Sequence, residues 1–201
     1  MSELLTVLDD ELIKFVKGKM LNQNSVDHTV EHLKRVNNYS MEIATAHNYF
    51  KQNPDLFLYN LKFGIYFHDI GRKTDLHEPY HGEVSADMAK ELIPAFINKS
   101  GYPNPDMDTI IFGIKYHSQL KKKYDKENHA TVIDAFQNKK GVNKKIVETL
   151  WDADQLDHPR NDGFWKYLGK LDIDYLSTDY AKNFANSKEH LNKYPNCCKN
   201  K

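Results

Sequence analysis

Apolar residues recur at spacings of three and four through most of this chain, while the strict alternation typical of half-buried strands is nearly absent. That spacing places apolar side chains on one face of a helix. The sequence therefore predicts an all-α fold, in which amphipathic helices pack their apolar faces together. We expect helices at about 3–20, 26–48, 54–70, 81–99, 106–120, 126–138, 143–156 and 178–193.

Short connections with clear stop signals separate these predicted helices. Asn53 and Pro54 are typical of a helix start, Gly71 is expected to end that helix, and the GYPNP segment at 101–105 separates the next two. The sequence contains no internal repeat and no long linker. A chain of 201 residues suits one domain with a substantial core, so we expect a single domain over 1–201.

The charge balance argues against large charged partners. Lys plus Arg and Asp plus Glu number 28 each, so no field of one sign attracts a nucleic-acid polymer or an anionic membrane. Lysine clusters at 121–126 and 139–145 are interpreted as solvated helix ends. No signal-peptide pattern and no membrane-spanning apolar run is present. Cys197 and Cys198 are adjacent, which suits neither a long-range disulfide nor a metal site and favours a cytoplasmic location.

The predicted helix 54–70 is apolar on nearly every side, yet it ends in the polar pair His68 and Asp69. A helix with this pattern is expected to be buried. A carboxylate in apolar surroundings is strongly disfavoured unless a partner compensates its charge. Taken alone, the pair is expected to satisfy itself by a hydrogen bond. The negative end of the helix dipole also favours a bound cation at this position.

Further ionisable residues lie on the apolar faces of their own predicted helices: His28, His32, His81, His117 and Asp154. In the predicted helix 143–156, Asp154 continues the apolar stripe, whereas Asp152 falls out of phase with it. One inward histidine is more often a satisfied core residue. Sets of inward histidines and carboxylates, however, are how helical bundles build metal centres, so the sequence predicts such a centre.

The other histidines lie near predicted helix ends or in polar surroundings and are interpreted as surface residues: His47, His77, His129, His158 and His190. Asp75 and Asp87 are assigned to solvated faces in the same way.

The order of these residues resembles the HD-domain superfamily of metal-dependent phosphohydrolases, with its pattern H…HD…H…H…D. Five segments carry the resemblance: HLKRV at 32–36, FHDIGR at 67–72, HGEVSA at 81–86, KYHS at 115–118 and DADQLDHPR at 152–160. The resemblance spans about 26–185. It implies an HD-type helical bundle whose first metal is held by His32, His68, Asp69 and Asp154.

The resemblance also implies roles around that metal. Asp69 would orient the attacking water and accept its proton. His81 and His117 would either bind a second metal or act on the phosphate of the substrate as catalytic residues. Arg72 is expected to hold that phosphate and to assist catalysis. Further substrate contacts are expected from His28, Lys73, Asp157 and Arg160, where Asp157 and Arg160 either orient a metal ligand or line the substrate rim.

Two imidazoles and two carboxylates form a mixed donor set that suits Mn, Fe, Co, Ni or Mg. We expect a metal-dependent phosphohydrolase that attacks the phosphorus of a small phosphorylated metabolite with an activated water. Nucleotides are the favoured class, because six aromatic residues near the motifs could stack a base, although core packing explains most of them equally well: Tyr66, Tyr80, Tyr116, Trp151, Phe164 and Trp165. The alternatives are an HD-fold di-iron oxygenase and a non-catalytic metal-binding regulatory protein.

Overall fold

The computed structural model describes residues 3–25, 27–49, 53–76, 78–119, 124–125, 130–157 and 173–187. Within these ranges the fold is all-α, as predicted. The helices are α1 (Glu3–Lys17), α2 (Val30–Ala46), α3 (Pro54–Phe67), α4 (His81–Ser100), α5 (Met107–Tyr116), α6 (Val132–Asn138), α7 (Lys144–Asp157) and α8 (Asp179–Ala185). A 3-10 turn at Ile173–Tyr175 precedes α8. None of the described helices combines the length and the hydropathy needed to cross a bilayer.

Two predicted helix starts were wrong. The chain before α6 forms a short antiparallel pair, β1 (Tyr124–Asp125) with β2 (Ala130–Thr131), instead of the first turns of a helix. Within α6, Val132 and Phe136 are buried and lie about one turn apart. Likewise, α2 begins at Val30, because the backbone of Thr29 before it is extended. His28 therefore lies outside the helix.

Helix α3 lies at the centre of the bundle and contacts α1, α2, α4, α5 and α7. Its start follows the sequence signal, because the Asn53 side chain accepts a hydrogen bond from the Leu56 amide at 3.1 Å and Pro54 occupies the first turn. Every residue from 57 to 67 is buried. The helix therefore carries His68 and Asp69, which follow its last residue, into the interior.

One charged residue is buried within this central helix. Lys62 is 1 % exposed, and its Nζ donates to both carboxylate oxygens of Asp9 on α1 at 2.6 Å. The amide oxygen of Asn37 on α2 lies 3.4 Å from the same nitrogen. The ammonium group is thus paired and hydrogen-bonded, which is the condition under which a buried charge is tolerated.

Two glycines fix the start of α4 against its neighbours. A Cβ on Gly71 would lie 2.5 Å from the backbone nitrogen of Ser85, and one on Gly82 would lie 2.7 Å from the carbonyl oxygen of Lys115. We expected Gly71 to end α3, but the helix ends at Phe67 and Gly71 instead permits close packing on α4. These contacts bring His81, the first residue of α4, next to the ends of α3 and α5.

Candidate metal centre

Four donor atoms meet in the interior between α2, α3 and α7: His32 Nε2, His68 Nε2, Asp69 Oδ2 and Asp154 Oδ1. The two imidazole nitrogens lie 3.2 Å apart. Each of them lies 3.4 or 3.5 Å from both carboxylate oxygens. All four side chains are buried. The structure therefore brings together the residues that the resemblance assigns to the first metal.

The spacing of these atoms fits a common ion. Donors bound at about 2.1 Å to one cation lie roughly 3.0 Å apart at right angles and roughly 3.4 Å apart at tetrahedral angles. The observed separations of 3.2 to 3.5 Å agree with this spacing. Imidazole nitrogen together with carboxylate oxygen suits Mn, Fe, Co or Ni. Buried His and Asp side chains of this chain could therefore hold a metal ion.

The hydrogen bonds of the imidazoles support the same conclusion. Nδ1 of His68 lies 2.7 Å from the carbonyl oxygen of Ile65, and Nδ1 of His32 lies 2.7 Å from a carboxylate oxygen of Asp157. Because these oxygens are acceptors, Nδ1 carries the proton in both rings and each Nε2 presents a lone pair. Two lone pairs that face each other cannot form a hydrogen bond, whereas a cation between them would satisfy both.

The second oxygen of Asp69 faces another pair of histidines. Asp69 Oδ1 lies 3.0 Å from His81 Nε2 and 3.3 Å from His117 Nε2, and these two nitrogens are 2.9 Å apart. His117 directly follows the last residue of α5, and its Nδ1 donates to the carbonyl oxygen of Ile114 at 2.6 Å. This arrangement suits a second ion, and it equally suits imidazoles that contact a bound phosphate.

The buried donors form one connected centre. Two sets of three residues could each hold an ion, and His68 belongs to both: His32, His68 and Asp154, and His68, Asp69 and His117. With Asp69 facing both sides, the first-metal residues and the His81–His117 pair share one carboxylate. The centre could therefore hold two neighbouring cations, or one cation beside two neutral imidazoles.

The electrostatics keep the central carboxylate ionised. Burial raises the pKa of Asp69, but the neighbouring imidazoles of His68, His28, His117 and His32 outweigh it and hold that pKa well below its usual range. Burial lowers the pKa of the His117 imidazole to about 4. At neutral pH His117 is therefore uncharged, which is the form that binds a metal.

Arg72 is a buried cation beside the His81–His117 pair. The residue is 5 % exposed, and its Nη1 lies 2.7 Å and 3.2 Å from the two ring nitrogens of His81. Its Nε is buried and has no hydrogen-bond partner in the described part of the chain. A buried guanidinium donor without a partner is costly, and an anionic oxygen would satisfy it.

His28 lies at the edge of the centre, although it precedes α2. Its ring packs edge-on against His32 at 5.6 Å between centroids, and its Nδ1 lies 3.3 Å from Asp75. The Ser25 hydroxyl donates to the same oxygen of Asp75. The solvated-face assignment of Asp75 was therefore wrong, because a loop contact that periodicity does not reveal draws the carboxylate to His28.

The three aspartates near the end of α7 differ in what they contact. Asp154 faces the donor cluster, whereas Asp157 lies behind His32 and also accepts from Nε of Arg35 at 2.8 Å. Asp157 is 0 % exposed, so its side chain is buried against His32 and does not line an exposed rim, while its role stays a prediction. Asp152 is equally buried but accepts from the backbone amides of Ser177 and Thr178. Periodicity thus separated Asp154 from Asp152, but it did not anticipate the burial of Asp152.

The remaining predicted residues lie elsewhere. Lys73 is exposed, and its substrate role stays a prediction. His47 is half-buried and accepts from the Tyr180 amide at 3.2 Å, so its surface assignment was wrong, while Asp87 is exposed as expected. The lysines at 139, 140, 144 and 145 are exposed.

The following residues of interest lie outside the described part of the chain: His77, His129, His158, Arg160, Phe164, Trp165, His190, Cys197 and Cys198.

Of the aromatic residues considered for base stacking, Tyr66 and Trp151 belong to the core at 1 % and 2 % exposure. The Trp151 indole donates to the carbonyl oxygen of Gly113 at 2.8 Å. Neither ring is available to a substrate. Tyr80 is 57 % exposed and Tyr116 is half-buried, so these two are the rings near the motifs that a ligand could reach among the described residues.

Comparison of the chain with protein-family models, with curated proteins and with solved structures gives no match. The geometry of the centre and the sequence resemblance therefore carry the functional interpretation.

Proposed function

We propose that the protein is an HD-type metal-dependent phosphohydrolase acting on a small phosphorylated metabolite, with nucleotides as the favoured class. The observation that carries the proposal is the placement of Asp69. One oxygen of this carboxylate faces the nitrogens of His32 and His68, and the other faces His81 and His117. His81 in turn contacts Arg72, whose Nε has no hydrogen-bond partner among the described residues. A cation-binding set and a buried anion-binding donor thus lie side by side.

In the proposed reaction, the metal would be held by His32, His68, Asp69 and Asp154. The chemistry that a bound divalent cation supplies is activation of water at neutral pH and withdrawal of charge from phosphoryl oxygens. Asp69, whose low pKa keeps its carboxylate ionised, would orient the attacking water by accepting a hydrogen bond from it, and its assignment as proton acceptor comes from the sequence resemblance. Since His117 is neutral at pH 7, it can accept a hydrogen bond or bind a second cation.

Arg72 binds the phosphate in this proposal. Its guanidinium is held against His81, and its buried Nε has no hydrogen-bond partner among the described residues, which is the basis for assigning that donor to an oxygen of the substrate. A charge-assisted hydrogen bond from arginine is stronger than a neutral one, and its planar group suits phosphate geometry. The bond would also strengthen as negative charge develops on the phosphoryl oxygens.

A di-iron oxygenase is the second candidate, because the His81–His117 pair beside Asp69 could hold a second iron next to the first. The hydrolase is favoured by the buried Nε of Arg72, which has no hydrogen-bond partner in the described part of the chain and which a phosphate oxygen would satisfy. A regulatory protein that binds metal without catalysis would have no need for a buried arginine whose Nε lacks a partner among the described residues.

The decisive experiment loads metal-free protein with Mn²⁺, Fe²⁺, Co²⁺, Ni²⁺ or Mg²⁺ and screens nucleotides and other phosphate esters for release of phosphate. His68→Ala and Asp69→Ala should abolish release, whereas Lys90→Gln, which changes an exposed lysine on α4, should not. Equal release by the wild type and both centre variants would refute the proposal. Oxygen uptake with ferrous iron and no phosphate release would favour the oxygenase.

Arg72→Gln and Arg72→Lys test the phosphate contact. Loss of one transition-state donor typically lowers kcat by about 10²- to 10³-fold. The glutamine variant should show this loss while binding metal as the wild type does, and the lysine variant should recover part of the rate. A normal kcat in Arg72→Gln would exclude the assigned role.

A further inference from the structure

Beyond the residues proposed to bind metal, a chain of hydrogen bonds runs from Arg35 through Asp157 to His32 and is called the relay below. A simple ion pair between helices would not require this geometry. The two oxygens of Asp157 are divided between two partners on α2. Oδ2 lies 2.7 Å from Nδ1 of His32, and Oδ1 accepts from Nε of Arg35 at 2.8 Å. His32 and Arg35 are three residues apart, so both project toward the end of α7 from one face of α2.

The tautomer of His32 depends on this contact. An ionised carboxylate can only accept, so it requires the proton on Nδ1 and leaves a lone pair on Nε2. That nitrogen is the one that lies 3.2 Å from His68 and 3.4 Å from both Asp69 and Asp154. In the opposite tautomer a proton would point into the donor cluster and exclude a cation.

Arg35 fixes the other half of the carboxylate. Asp157 is 0 % exposed, and an uncompensated charge at that burial is strongly destabilising. The Arg35 side chain is 37 % exposed, so it links the buried carboxylate to the solvent side of α2. With Oδ1 occupied by the guanidinium, Oδ2 is held in place for the imidazole.

We infer that Arg35 and Asp157 are positioning residues that hold His32 in the one tautomer able to bind a metal ion. The inference rests on the metal site of the proposed function, but it concerns the chain's own hydrogen bonds. Partners of this kind on metal-binding histidines typically contribute about 10- to 100-fold to metal affinity.

Asp157→Asn tests the inference with little change in shape. In this variant, the donors Arg35 Nε and His32 Nδ1 would face one amide oxygen and one amino group. Because an amino group does not accept, one of the two hydrogen bonds to residue 157 must be lost. If the oxygen stays with the charged guanidinium, the amino group faces Nδ1 and favours the wrong tautomer of His32. Asp152→Asn is the matched control, because Asp152 is equally buried on the same helix but binds backbone amides of 177 and 178.

Two measurements on the full chain report the result. Nitrogen-15 NMR of labelled histidines in the metal-free protein should show His32 protonated on Nδ1 in the wild type and in Asp152→Asn, but on Nε2 in Asp157→Asn. Calorimetric titration with Co²⁺ should show binding weakened about 10- to 100-fold in Asp157→Asn. Asp152→Asn should lower the melting temperature and leave Co²⁺ affinity unchanged.

Equal effects of the two asparagine variants on Co²⁺ affinity, or an unchanged His32 tautomer in Asp157→Asn, would overturn the inference. If Asp157→Asn fails to fold, Arg35→Gln at the half-exposed end of the relay gives the answer: Co²⁺ affinity should fall, and Arg35→Lys should restore part of it. Unchanged affinity in Arg35→Gln would also overturn the inference. A wild type with the expected tautomer and Co²⁺ affinity but no phosphate release would refute only the proposed function.

Discussion

Two buried polar clusters in this protein differ in whether their own hydrogen-bond donors and acceptors can pair with one another. Around Lys62, one ammonium group meets the two oxygens of Asp9 and the amide of Asn37, so donors and acceptors balance. Around Asp69, carboxylate oxygens meet imidazole nitrogens that present lone pairs, so acceptors meet acceptors. Burial of charge is common to both clusters. The mismatch of donors and acceptors distinguishes a candidate site from a structural ion pair.

The largest effect on stability should come from breaking the cluster around Lys62, in which donors and acceptors are already paired. Asp9→Ala leaves the ammonium of Lys62 buried without its counter-charge, which should lower the free energy of unfolding by about 3 kcal/mol. Urea denaturation with and without Mn²⁺ measures the change, which should be the same in both conditions. Replacing both partners, Asp9→Leu with Lys62→Met, should recover most of the loss; no recovery would mean that the pair itself stabilises the bundle.

The donor cluster should respond in the opposite way, because the nitrogens and oxygens that face one another in it are all acceptors. Mn²⁺ at 100 times its dissociation constant should raise the free energy of unfolding of the wild type by about 2.7 kcal/mol. Asp154→Asn should abolish that gain while changing the stability of the metal-free protein less than Asp9→Ala does. Urea denaturation in Mn²⁺ and in a chelator provides the comparison, and a gain that survives in Asp154→Asn would count against the site.

A smaller effect should follow from moving α4 away from the donor cluster. Gly71→Ala places a Cβ against the backbone of Val84 and Ser85, which should cost about 1–3 kcal/mol and displace His81. Thermal melting and the number of Co²⁺ ions bound per chain report both consequences. Gly18→Ala is the control, because the added Cβ would meet no heavy atom within 4 Å apart from its own chain neighbours. Equal melting temperatures for the two variants would contradict the packing role of Gly71.

The smallest effect should come from a buried group outside both clusters. The Thr178 hydroxyl caps α8 by accepting from the Ala181 amide at 3.2 Å. Thr178→Ala should cost about 1 kcal/mol, and Thr178→Ser should cost less because it keeps the cap. Calorimetric Co²⁺ binding should be unchanged in both variants, whereas any loss of affinity would show that the donor cluster is coupled to α8.

The sequence was most informative where one helix face determines position. Periodicity placed His32, His117 and Asp154 toward the interior, and the structure buries all three. Periodicity failed where a loop, or a contact between residues distant in sequence, determines the position of a side chain. His28 lies outside the helix predicted for it, and the packing of Gly71 on α4 becomes visible only when two helices meet.

Hydrogen-bond partners that lie far along the chain from the residue they contact were also not predicted from the sequence. The carboxylate of Asp152 is buried because backbone amides 25 and 26 residues later bind it. Arg35 was part of a recognised segment, but nothing in the spacing indicated that it shares Asp157 with His32. Such partners depend on how helices meet, which the pattern of a single helix does not contain.

The contact between His32 and Asp157 spans 125 positions of the chain. Neither half of the polypeptide, synthesised or cut separately, contains a complete donor set. Cation uptake should therefore follow completion of the tertiary structure, so a metal-sensitive signal recorded during refolding would time the last assembly step of the bundle.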